Sequence, residues 1–193
     1  MMKNPLRLIA VLTLGCPIGF AQQVVAPESA KSPQLAPGCD ATLWKFVYHP
    51  SRLPAKNDCR VVTGTIKNFV AEADGDYHIR LIPDDKSLIN QQNLKQEGGA
   101  LVVEPICQST PTQADAKKPC QGYNGPKFSM SAFCPGAPNH PAAPVEVPGQ
   151  QNPTFVCKNP PRVQITGFYT IDNDHGWMEQ HTVSSIKLLA GAK

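Results

Sequence analysis

The sequence predicts an all-β fold with a minor helical part: a five-stranded Greek-key barrel with a proline-rich, disulfide-stapled excursion between its third and fourth strands. Three observations carry this expectation. Five segments rich in β-branched residues are separated by turn signals. Two of them hold a glycine in mid-strand, Gly64 and Gly167, which marks a bulge or a sharp bend. Residues 105–161 hold 12 of the chain's 20 prolines, too many for long regular elements. A small β-sandwich is the competing reading; the strand count and the two bending glycines favour the barrel.

The elements follow in order. Residues 1–21 read as a secretory signal, with Lys3 and Arg7 at a basic start, the apolar "LIAVLTL", and small Ala21 before the cleavage point. Gly15 and Pro17 interrupt the apolar run well short of the roughly 18 residues a membrane span needs. Lipoprotein processing at Cys16 ranks second, since Thr13 stands where such sites favour leucine. Residues 22–38 read as a flexible leader rich in Pro, Ala and Ser, and residues 39–193 as one domain. Leu43, Trp44, Phe46, Val47 and Tyr48 are expected to pack. His49 precedes Pro50 and is expected to be extended and at the surface.

The first strand is "CRVVTGTIKNFV", and "AEADGD" turns the chain at Gly75. In "YHIRLI" alternation puts Tyr77, Ile79 and Leu81 on one face and His78, Arg80 and Ile82 on the other. Residues 84–99 read as a helix capped by Asp84 or Asp85, striped by Leu88, Ile89 and Leu94, and ended by Gly98. "ALVVE", "RVQITGFYTI" and "HTVSSIKLL" supply strands three to five. This pattern fits a barrel of the OB type, whose ligands bind on strands two and three and against the loops joining strands 1–2 and 4–5.

Export sets the cysteine chemistry. Beyond Cys16, the six cysteines Cys39, Cys59, Cys107, Cys120, Cys134 and Cys157 allow three disulfides in 15 connectivities. Short loops suggest Cys107–Cys120 and Cys134–Cys157, leaving Cys39–Cys59. Zinc ligation is disfavoured, because no two cysteines stand two to four residues apart. Losing Lys3 and Arg7 with residues 1–21 lowers the net charge from +3 to +1. No basic cluster exceeds Lys117–Lys118, which speaks against a dedicated nucleic-acid binder.

The loop expected to join strands four and five, "DNDHGWMEQ", is dense in reactive groups. With the first loop it places Asp74, Asp76, His78, Arg80, His175, Trp177, Glu179 and His181 at the rim where OB barrels carry function. Trp177, Glu179 and His181 share a face where the chain is extended. The leading expectation is an exported, monomeric, non-catalytic binding protein. Its ligand would be a saccharide, an envelope fragment or another protein, stacked on Trp177 and oriented by the charged groups. His175 and His181 would then tune affinity between pH 5 and 8. The alternative is a metal-dependent hydrolase, with His78, His175 and His181 holding a divalent transition metal and Glu179 as general base. A third is a structural envelope protein whose contact surface is the excursion. Against all rim readings, turns collect Asp, Asn and Gly for their geometry alone, and Trp177 could simply plug the barrel end. The chain has no Gly-x-Ser-x-Gly elbow, no helical His-Glu-x-x-His and no Walker pattern.

Two resemblances bear on this reading. "DGD" at 74–76 is similar to the first turn of thermonuclease-type OB barrels, which are calcium-dependent phosphodiesterases. Tyr77 follows where that family has threonine, and its Asp-Thr-Pro-Glu string is missing. More broadly, residues 47–186 resemble a group of exported bacterial proteins with no assigned activity. That group shares the Val-Thr-Gly, Asp-Gly-Asp-x-His and His-Gly-Trp-x-Glu-x-His segments found here. Gln180 and Thr182 stand where the group has Ile and Pro, and the stretch near 135–153 is longer. The resemblance implies export and a barrel-like fold, and it transfers no activity.

Overall fold

A computed structural model describes residues 38–145 and 151–190; the signal, most of the leader and Cys16 lie outside them. Six strands form: β1 (Cys59–Ala71), β2 (Tyr77–Pro83), β3 (Leu101–Val103), β4 (Thr154–Val156), β5 (Arg162–Ile171) and β6 (Met178–Leu188). Five of them close a barrel. β1 pairs antiparallel with β2, β2 with β3, β3 runs parallel to β6, and β6 and β5 lead back to β1. This connectivity is compatible with the OB-like Greek key. β4 lies outside the ring, against residues 68–70 of β1.

β1 closes the barrel because it is long enough to serve two partners. Its first half pairs with β5 and its second half with β2, and Gly64 belongs to both ladders, opposite Val163 and Pro83. A Cβ there would meet the Ile82 carbonyl oxygen, so only glycine lets the strands approach this closely. At Gly167 the β5–β6 register shifts, and a Cβ would lie 2.7 Å from the Thr182 oxygen. Both strand glycines thus mark close approaches, and Gly167 marks a bulge as well.

Alternation fills the interior. Ile66 and Phe69 from β1, Tyr77, Ile79 and Leu81 from β2, Leu101 and Val103 from β3, and Val163 and Ile165 from β5 are fully buried together. Each buried aliphatic or aromatic side chain contributes roughly 1.5–3 kcal/mol. The excursion is irregular apart from α2 (Met130–Phe133) and β4, and it sends Phe128, Met130 and Phe133 into this core. A second cluster joins Leu43, Phe46, Val47 and Leu53 of the N-terminal strap to Ile106 and Cys107. Three disulfides, Cys39–Cys59, Cys107–Cys120 and Cys134–Cys157, tie strap and excursion down.

Four local expectations change. The helix over 84–99 is broken: Asp85 caps a 3-10 turn at Lys86–Leu88, and α1 (Gln91–Gln96) starts only after Asn90, which caps it together with Asn93. Leu94 is exposed, and the buried side chain on α1 is the polar Asn93, bonded to the Ala100 and Met178 backbones. β6 begins at Met178, three residues early, because β3 pairs with Glu179 and Gln180. His49 is at the surface but left-handed (φ 49°), since the chain reverses there into the 3-10 turn Pro50–Arg52.

Candidate functional site

A cleft of about 860 Å³ opens on the barrel where the β1–β2 loop, the outer face of β2 and the β5–β6 loop meet. Of the eight rim residues expected from sequence, Asp74, His78, Arg80, His175 and Trp177 line it. Asp76, Glu179 and His181 do not; they lie buried in the protein.

The two loops are shaped by their own aspartates. Asp74 accepts the Asp76 amide at 3.1 Å, and Asp76 reaches out of the turn to accept the Cys107 amide at 2.5 Å. In the β5–β6 loop, Asp172 accepts the amides of Asp174 and His175 and contacts His175 Nδ1 at 2.9 Å. That contact lays the His175 ring on Trp177, 4.2 Å between centroids and 2° from parallel. The Trp177 ring is therefore covered and buried, and the surface offered to the cleft is the exposed imidazole of His175.

A chain of charged side chains runs beneath. Trp177 Nε1 donates to Glu179 at 2.9 Å, and the other Glu179 oxygen lies 3.1 Å from His181 Nδ1, so the two-residue period did bring these three together. The same Nδ1 is 2.8 Å from Glu104 Oε2, while Glu104 Oε1 faces His78 Nδ1 at 3.4 Å. His78 Nε2 meets Glu97 at 3.0 Å, and Arg80 Nε donates to that carboxylate at 2.6 Å. Arg52, carried in by the strap, bonds Asp172 and lies 3.5 Å from Glu104.

Burial and charge pull the proton affinities apart. For both His78 and His181 burial acts to lower the pKa, but the carboxylates facing each ring, Glu104 foremost, outweigh it and lift each to about 10. Glu104, despite a burial cost, is held well below the usual carboxylate range by those two imidazoles and by Arg52. Partial burial, then the Glu104 charge, push Glu72 up to about 8. Asp76 and Glu179 are also raised, chiefly by burial. His181 therefore keeps its proton across pH 5–8, and the pH response expected of it falls above that range.

Sequence reasoning missed Arg52, Glu72, Glu97, Glu104 and Asp172. Two triads of possible ligand atoms converge on Glu104: Glu72–His78–Glu104 and Asp76–Glu104–His181. A third, Asp76–Cys107–Cys120, is discounted because its cysteines are bonded to each other. The expected trio His78, His175 and His181 forms no such group among the described residues; His175 stands above Trp177, outside the Glu104 cluster. Glu179, expected as general base, is fully buried and has both oxygens engaged.

Comparison of this chain with known protein families, with curated proteins and with solved structures finds no match. Among the described residues no helix is long and apolar enough to cross a membrane, and the three disulfides suit an extracellular or otherwise oxidising compartment.

Proposed function

We propose that this is an exported binding protein that takes up a polar ligand, a saccharide or envelope fragment, in the cleft and does no chemistry on it. The observation that carries this reading is that the cleft wall is assembled in advance. His175 is held by Asp172, Arg80 by Glu97, and the loops by their own aspartates. Preorganisation of this kind lowers the ordering cost of binding, and the cleft volume lies within the range of small-ligand sites. The wall mixes carboxylates, guanidinium groups, imidazoles and Tyr48, which suits a ligand with many hydroxyl or amide groups. The buried, engaged state of Glu179 weighs against the hydrolase alternative.

Calorimetric titration with soluble oligosaccharides and peptidoglycan fragments tests this. At least one should bind the mature chain. His175→Ala should weaken it about tenfold or more, the scale of a lost central contact, with an unchanged melting temperature. Binding that His175→Ala and Arg80→Ala leave intact would place the ligand elsewhere and sink the proposal.

A further inference from the structure

We infer that Glu72, His78 and Glu104 form a binding site for one divalent transition-metal ion of the zinc class at the floor of the cleft. Each of the three side chains offers one ligand atom within 4.8 Å of the other two. His78 Nδ1 is 3.4 Å from Glu104 Oε1 and 3.8 Å from Glu72 Oε1. These separations are long for hydrogen bonds. They are close to the spacing of neighbouring ligands around a tetrahedral ion with bonds of about 2.0–2.1 Å, roughly 3.4 Å.

The orientation of His78 is the second, independent observation. The residue is 5% exposed, and its hydrogen bond to Glu97 is made through Nε2, which leaves Nδ1 facing Glu72 and Glu104 at the longer distances just given. Glu97 is itself held by Arg80. A carboxylate gripping one imidazole nitrogen while the other points at oxygen donors is the outer-shell arrangement that sets the tautomer of metal-bound histidines. Here the nitrogen left over points between Glu72 and Glu104. Glu104 is fixed in the same way, since Oε2 is taken by His181 and approached by Arg52, leaving Oε1 toward the gap.

Charge adds to the geometry. Six carboxyl groups, Glu72, Asp74, Asp76, Glu97, Glu104 and Glu179, crowd around four basic ones, Arg52, Arg80 and two imidazoles, so a bound cation would find carboxyl groups that lack a basic partner of their own. Buried charges are paired or coordinate metals. The deeper triad of Asp76, Glu104 and His181 is the weaker candidate. All three residues are buried, and His181 Nδ1 is already shared by Glu104 and Glu179. Glu72, His78 and Glu104 line the cleft, and a third of the Glu72 side chain is exposed, so an ion has a route in and an open position for water. One imidazole with two carboxylates suits zinc, with iron and manganese as competitors. The inference does not depend on the binding proposal, because ligand uptake and metal binding are read separately.

The experiment is metal analysis followed by zinc titration. The mature chain is exported, purified without a histidine tag or chelator, and its metals are quantified by mass spectrometry; near one zinc per chain is expected. Stripped protein is then titrated with zinc against a chromophoric competitor. Glu72→Gln should weaken binding at least tenfold while its circular dichroism and melting stay as in wild type. Glu97→Gln, which touches no metal, should weaken it by about 10–100-fold. His78→Asn should abolish it, and Glu72→Gln keeps the test valid if that variant does not fold. Failure of stripped wild type to bind zinc more tightly than about 10 µM would overturn the inference. So would stoichiometric binding that neither Glu72→Gln nor Glu97→Gln changes.

Discussion

Glu104 is 4% exposed and stands between two imidazoles and a guanidinium. Removing its charge leaves three buried or half-buried cations without their common partner, and breaking a buried pair from one side costs about 3–5 kcal/mol. Glu104→Gln in metal-free protein is therefore expected to lower the urea unfolding free energy by about that much. Asp84, paired with Arg162 where both side chains are over 40% exposed, supplies the contrast: Asp84→Asn should stay within about 0.5 kcal/mol of wild type. Equal effects of the two would mean that the Glu104 cluster is solvated. Glu104 was visible in the sequence only as the last residue of "ALVVE". Its partners His78 and His181 arrive on β2 and β6, which flank β3. That juxtaposition depends on a parallel pairing between segments about 75 residues apart, which no local period encodes. His175, His181 and Glu179 were legible because they share one short stretch; Glu97 and Glu104 were not, because they stand far in sequence from the histidines they face.

At the scale of elements, the β1–β2 loop owes its shape to Gly75, which adopts φ +94° and leaves no room for a side chain. A Cβ there would lie 2.7 Å from the Ser109 carbonyl oxygen. Gly122 has a similar left-handed φ of +71° but open space around it. The pair separates backbone strain from collision. Gly122→Ala should cost about 1 kcal/mol, and Gly75→Ala about 2–4 kcal/mol with loss of cleft affinity; equal costs in thermal unfolding would show that the loop yields easily. The five barrel strands and the turn at Gly75 were readable because alternation and turn chemistry act locally. α1 was misread for a physical reason. Asp85 is a good cap, yet it caps a separate 3-10 turn, and the helix is anchored by buried Asn93 instead of an apolar stripe. β4 gave no signal, because three residues in a proline-rich stretch, the outer two exposed and only Phe155 half-buried, carry no period.

For the whole molecule, the imidazole–carboxylate cluster ties stability to pH, and the sign follows from the shifts. His78 and His181 have pKa values near 10 in the folded chain against 6.5 when unfolded. Below pH 6.5 both states hold these protons and the contribution is complete; as pH rises through 10 it is lost. Glu72, raised to about 8, acts in the same direction, since the folded chain keeps its proton between pH 4.5 and 8 while the unfolded chain releases it. Glu104, Glu97 and Asp172 are lowered, so their contribution is lost on the acid side as pH falls through their depressed values. Chelator-treated protein should therefore be most stable near pH 5–6. It should lose on the order of a few kcal/mol by pH 10, read from urea unfolding at pH 5.5, 7.5 and 9.5. Surface charges would produce a slope that 1 M salt flattens, because the screening length there is only about 3 Å. Groups shielded from solvent are screened far less, so the slope predicted from His78 and His181 should survive the salt. A pH profile that is flat, or that salt abolishes, would mean that the two imidazoles are neutral in the folded protein and that Glu104 is not paired with cations.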